Sequence, residues 1–99
     1  MFDEQIDAGG PLVKWSGDKA SWYFVVLSGD VVGEIHYAAM GRTGGFGSVK
    51  VRATIGNTTW ETSLFPSKES GGFVLPVKAA VRKAEGLSEG DAISLTLRV

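Results

Sequence analysis

One segment narrows the possible folds more than any other. Residues 48–55 read Ser-Val-Lys-Val-Arg-Ala-Thr-Ile, so Val49, Val51, Ala53 and Ile55 share one side of an extended chain. Ser48, Lys50, Arg52 and Thr54 take the other, the period of a strand with one buried face. Gly56-Asn57 follows, two residues that tolerate the positive φ of a two-residue hairpin turn, and residues 58–65 resume the extended pattern. The turn sets the register: Ile55 opposite Thr58, Ala53 opposite Trp60, Val51 opposite Thr62, Val49 opposite Leu64. Arg52 then falls opposite Glu61 on the outward side. Such a pair contributes only about 0.2–1 kcal/mol, but it arises at the register that the turn selects. The chain entering this hairpin runs from Phe46 through Gly47.

The last third reads strand, helix, strand. Residues 71–75 form a short extended run ending at Pro76, which bars Leu75 from helical backbone and presets a first helical turn. Val77, Ala80, Val81 and Ala84 recur at i, i+3, i+4 and i+7, one apolar stripe. Gly86 is placed to end that helix in the left-handed region, with Leu87 closing a Schellman contact. Residues 88–91, Ser-Glu-Gly-Asp, make a turn. From residue 92 the chain alternates Ile93, Leu95, Leu97 and Val99 inward with Ser94, Thr96 and Arg98 outward.

The first third is less regular. Residues 12–15 read as a strand, 16–18 as a turn and 21–27 as a strand whose unbroken apolar run predicts burial on both faces. Asp30 is placed to cap a helix with Val31, Val32, Ile35, Ala38 and Ala39 on its apolar side, weakened at Gly33 by about 1 kcal/mol relative to Ala. Residues 41–47, Gly-Arg-Thr-Gly-Gly-Phe-Gly, then form the most flexible connection, and Asp3, Glu4 and Asp7 belong to a terminus expected to fray. The result is mainly β with two short helices, in the order β-β-α-β-β-β-α-β. Residues 23–40 and 73–85 both pass from extended to helical, a faint internal duplication.

Composition fits one globular domain over residues 1–99: hydrophobic residues are 43% and charged residues 21% of the 99-residue chain. Without cysteine there is no disulfide framework, thiol nucleophile or thiolate metal site. The longest apolar run, residues 22–27, falls far short of the ~20 residues that span a bilayer. The acidic start is the opposite of a secretory or organellar leader, so a cytoplasmic protein without membrane contact is expected.

Two stretches resemble a known family. Val-Arg-Ala-Thr-Ile-Gly-Asn-Thr-Thr-Trp-Glu-Thr-Ser-Leu-Phe-Pro at residues 51–66, Leu-Pro-Val-Lys-Ala-Ala-Val-Arg-Lys-Ala-Glu-Gly-Leu at 75–87, and Trp-Tyr-Phe-Val-Val-Leu at 22–27 are similar to a bacterial and archaeal domain-of-unknown-function family. Its members occur alone or fused to a YdeI/OmpD-associated module, and the resemblance covers nearly the whole chain. It implies a small closed β-barrel of the double-split type, grouped with the AbrB/MazE swapped-hairpin proteins, and no established activity. Residues 75–91 also look like the strand-helix-turn-strand element of AbrB-type DNA-binding proteins. There a second chain completes the unit, whereas here 99 residues suffice for both halves.

Chemistry-bearing residues are sparse. His36 is the single histidine. Without cysteine a metal would need it together with carboxylates, and Glu34 lies on another face of the helix, so no metal site is expected. A Ser-His-acid triad would also have to use His36, and no serine sits in a Gly-x-Ser-x-Gly elbow. Glu61 is matched by Arg52; Glu85, Glu89 and Asp91, at a helix end and a turn, are expected to be solvated. The 41–47 loop lacks the Gly-Lys-Ser/Thr ending of a phosphate loop, and Arg42 is its one residue able to hold an anion. Lys78 stands in the first turn of the second helix, where the macrodipole disfavours a cation, and Arg82 repeats its charge at i+4. An anion near Lys78, Arg82 and Lys68 would relieve both conflicts, although long cations also reach water at little cost. Phe65, Phe46 and Trp15 are candidates for partial exposure, as a second core layer, a dimer surface or an aromatic platform.

The reading that follows is a non-enzymatic barrel without cofactor, binding a small anion or a protein through Lys78, Arg82, Arg42 and Lys68, with a homodimer as one arrangement. The alternative is an AbrB-like DNA-binding regulator. A net charge of −1 and a pI near 5.7 oppose nucleic acid, which favours a basic footprint.

Overall fold

A computed structural model describes residues 2–41 and 47–99; the expectations for Arg42, Phe46 and the rest of residues 42–46 lie outside the described residues. The elements are β1 (Gln5–Ser16), β2 (Ser21–Leu27), α1 (Asp30–Ala38), β3 (Val49–Ile55), β4 (Thr58–Ser67), β5 (Gly72–Pro76), α2 (Ala79–Glu85) and β6 (Ala92–Arg98). The strands close into a barrel in the order β1-β2-β5-β4-β3-β6, antiparallel at every junction. No helix among the described residues is long and apolar enough to cross a membrane.

The β3–β4 hairpin has the predicted register throughout, from Val49 opposite Leu64 to Ile55 opposite Thr58, with Arg52 opposite Glu61. Its turn needs less than the sequence allows: Gly56 alone has positive φ, at 58°, and Asn57 does not. Val49, Val51, Ala53 and Ile55 face a core that includes Leu12, Val25, Leu27, Leu64, Leu75 and Leu97, these last six at 0% exposure. The inward set of β6 is as expected.

Closure depends on two long strands that change partners. β1 pairs with β6 from Gln5 to Pro11 and with β2 from Leu12 to Ser16. β4 pairs with β3 from Thr58 to Leu64 and with β5 from Phe65 to Ser67. Two sheets therefore share β1 and β4, one ordered β1-β2-β5-β4 and the other β1-β6-β3-β4. A proline stands at each change, Pro11 and Pro66, as suits a bend where a ladder N–H is dispensable.

The expected frayed terminus is thus wrong. β1 has 12 residues rather than four, Ile6 is 5% exposed, and the backbones of Glu4 and Val99 exchange hydrogen bonds at 3.3 and 2.9 Å. Gly9-Gly10 resembles a breaker in sequence but works as a close approach in space. A Cβ on Gly10 would collide with the Val26 carbonyl oxygen, and one on Gly9 would sit 2.7 Å from the Ile93 carbonyl oxygen.

Other local expectations change too. Trp22 is 52% exposed, and within β2 only Val25 and Leu27 are buried, so that strand is covered on one face only. Gly29, not Asp30, is the N-cap of α1, and no side chain caps it. Pro76 stays in β5, paired with Phe24, which delays α2 to Ala79 and leaves Lys78 extended at φ −69°, ψ 159°. Lys78 is therefore an N-cap, outside the helical turn where its charge was expected to conflict with the dipole. Shortened in this way, α2 buries only Val81, and Ala80 and Ala84 are exposed. Its far end follows expectation: Gly86 has φ 63° and ψ 40°, and the Leu87 N–H reaches the Arg82 carbonyl at 2.9 Å, a Schellman bond.

Candidate functional site

The partner change in β4 opens the wall of the barrel. Thr58–Leu64 has β3 on one side, while on the other β5 ends at Pro76, and α2 lies across the gap. A cleft of about 350 Å³ remains there, with Tyr23, Phe24, Trp60, Thr62, Lys78 and Arg82 among its walls. Tyr23 reaches it because it continues the inward set of Val25 and Leu27 past the end of the core. That alternation was readable in the sequence, and Tyr23 is the wall residue that sequence reasoning missed.

Arg82 is held in place at this cleft. Its guanidinium carbon lies 3.7 Å from the centre of the Tyr23 ring, close enough for a cation–π contact, and its Nε donates to the Val77 carbonyl at 3.3 Å. The Val77 N–H in turn donates to the Tyr23 carbonyl at 2.9 Å, tying the start of α2 to β2. These contacts hold the guanidinium over the ring and leave both terminal amino groups without an acceptor among the described residues. Lys78 is exposed and lines the same cleft. Glu61, at its margin, is bound to Arg52 at 3.1 Å.

Of the sequence-predicted site residues, Lys78 and Arg82 come together here. Lys68 lies beyond Phe24, in a second and shallower depression of about 530 Å³ with Trp15, Phe65, Pro66, Glu69 and Val74; Phe24 is common to both. Glu85 is not the solvated carboxylate expected. It accepts a hydrogen bond from the Thr58 hydroxyl at 2.6 Å and lies against Gly56, where a Cβ would collide with it, binding α2 to the hairpin turn. His36 is exposed with its ring 5.1 Å from that of Phe73, and no group of metal-holding side chains occurs among the described residues.

The outer faces of the two sheets differ in kind. On the β6 and β3 side the outward residues are Lys50, Arg52, Thr54, Ser94, Thr96 and Arg98, linked across strands by Arg52–Glu61, Thr54–Thr59 at 2.8 Å and Arg98–Gln5 at 3.2 Å. On the β1-β2-β5-β4 sheet the register puts Val13, Trp15, Trp22, Phe24, Val26, Val74 and Phe65 on one outward surface. Trp15, Trp22 and Phe65 are 47%, 52% and 43% exposed, and the rings of Trp15 and Phe24 lie 4.7 Å apart.

Comparison with known proteins gives one family. The model of Domain of unknown function (DUF1905) matches residues 9–97. No curated protein matches the chain.

Proposed function

The chain belongs to this family of unknown function, and on that footing we propose that it is a non-enzymatic cytoplasmic module that binds a small organic anion in the cleft between β4 and α2. The observation that carries the reading is Arg82, set over the Tyr23 ring and held through Nε, with two terminal amino groups unspent. A planar fork of that kind matches a carboxylate or phosphate in two parallel bonds. Holding it beforehand also reduces the ordering cost of binding. Lys78 adds a second cation at the same cleft.

Thermal unfolding of the full chain with inorganic phosphate, nucleoside monophosphates and aromatic carboxylates tests this. A ligand present at a hundred times its Kd stabilises by about 2.7 kcal/mol, and that gain is expected to fall sharply in Lys78→Ala and in Arg82→Gln. An unchanged midpoint with every anion, or an equal gain in both variants, rejects the reading.

A second reading, the AbrB-type DNA-binding regulator, draws on one observation: Arg52 lies directly opposite Arg98 on the outward face that also carries Lys50. Against it, both guanidiniums are engaged, by Glu61 and by Gln5, and the net charge is −1. Absence of retention on DNA at about 50 mM salt, where phosphate contacts are strong, ends that reading.

A further inference from the structure

We propose that the outward surface of the β1-β2-β5-β4 sheet is a self-association interface, covered in solution by a second copy of this chain. The inward side chains already complete the core, and Trp15, Trp22 and Phe65 lie outside it, Trp15 against Phe24 and Trp22 beside the β1–β2 turn. Yet each is roughly half exposed on a surface where the opposite sheet carries Lys, Arg, Ser and Thr. Three such rings expose roughly 300 Å² in all, enough for the desolvated centre of an interface that needs about 800 Å² from each partner. The rim must come from elsewhere.

Two turns provide that rim, and their charges select the occupant. The strands of this sheet alternate in direction, so the β1–β2 turn and the β4–β5 turn lie at opposite ends, and at opposite margins because β1 and β4 are its outermost strands. One turn carries Asp18-Lys19 and the other Lys68-Glu69. All four are exposed, and none has an ion-pair partner among the described residues. A two-fold axis lying in the interface, midway between the turns, sets each turn on the other turn of the partner. Asp18 then meets the partner subunit's Lys68, and Lys19 meets the partner subunit's Glu69, at both ends. A ligand or protein of one charge sign would be repelled by half of each rim, whereas a second copy satisfies all of it. A net charge of −1 adds little repulsion between copies.

Sedimentation equilibrium on the full chain over increasing concentration tests the interface. The expected mass rises from 10.5 kDa to twice that value by about 0.5 mM, and Phe65→Ser and Trp15→Ser each weaken association about thirtyfold, the loss typical of a central aromatic anchor. Charge exchange provides a second arm. Lys19→Glu with Lys68→Glu gives acidic rims, and Asp18→Lys with Glu69→Lys gives basic ones. Each variant alone is expected to remain monomeric and their mixture to dimerise. A wild-type chain that stays monomeric at about 1 mM overturns the proposal. So does a dimer whose strength is unchanged by Phe65→Ser and Trp15→Ser, or charge variants that self-associate as well as they mix.

Discussion

Residues 5–55 run long strand, short strand, helix, strand, and residues 58–98 run the same course again. β1 corresponds to β4, β2 to β5, α1 to α2 and β3 to β6, and the ring of strands is unchanged when the halves are exchanged. Each long strand changes partner at a proline. Each helix follows its one fully buried branched residue, Ile35 or Val81, with a side chain that lies on an aromatic ring of the other half: His36 on Phe73, Arg82 on Tyr23. The differences lie in how each helix closes its end. α1 also buries Ala38 and, just beyond it, Ala39, so it plugs its end of the barrel. α2 buries Val81 alone and leaves a cleft with a cationic wall. Beside α1 the corresponding depression is acidic, with Glu4 and Glu34 among its walls. A duplicated frame thus fills one end of the barrel and leaves the other open.

The largest test of that division compares the two helices. Ile35→Ala is expected to cost about 4 kcal/mol and Val81→Ala about 2, on the usual scale for truncating buried side chains, as read by urea unfolding. Equal losses would make α2 as much a plug as α1 and end the contrast.

Next comes the bend of β1. Gly10→Ala is expected to lose about 3 kcal/mol, because the new methyl meets the fixed backbone of Val26 and not a side chain that can yield. A near-neutral result would mean that β1 can move away from β2, so that its change of partner is looser than that of β4.

Smaller is the tie between α2 and the hairpin. Glu85→Ala removes the bond from Thr58 and should cost about 1.5 kcal/mol, the low end for a hydrogen bond to a charged group. If Thr58→Val together with Glu85→Ala costs no more than either alone, the pair acts as one unit, and α2 is anchored by it. The smallest effect belongs to the exposed Arg52–Glu61 pair, at 44% and 63% side-chain exposure. Glu61→Lys should lose less than about 1 kcal/mol, largely restored by adding Arg52→Glu; additive losses in the double-mutant cycle would deny the coupling.

The halves also differ in how far the sequence discloses them. From residue 79 onward punctuation has its ordinary meaning: Gly86 ends a helix, Gly90 with φ 91° sits in a turn, and the alternation in β6 is clean. In residues 5–27 the same letters mislead. Gly9-Gly10-Pro11 reads as an interruption, but its meaning depends on Val26 and Ile93, distant in sequence, whose backbones pass too close for a side chain. The apolar run of β2 misleads in another way, since its outward residues are apolar yet only partly covered. At the site, the charges of Lys78 and Arg82 were legible. The position of Arg82 on Tyr23 was not, because it requires knowing that β2 and α2 meet across the split. Lys68 was grouped with them by charge, but it lines a separate depression that shares only Phe24 with the cleft.

The hydrogen bonds between Glu4 and Val99 have a mechanical consequence. Tension applied between these two neighbouring residues would draw β1 and β6 apart from one end, loading the rungs from Gln5–Arg98 onward one after another like a zip fastener. A barrel held in that way should yield at low force, whatever its thermal stability, whereas the same pull applied across the opposite ends of β3 would have to shear several rungs at once.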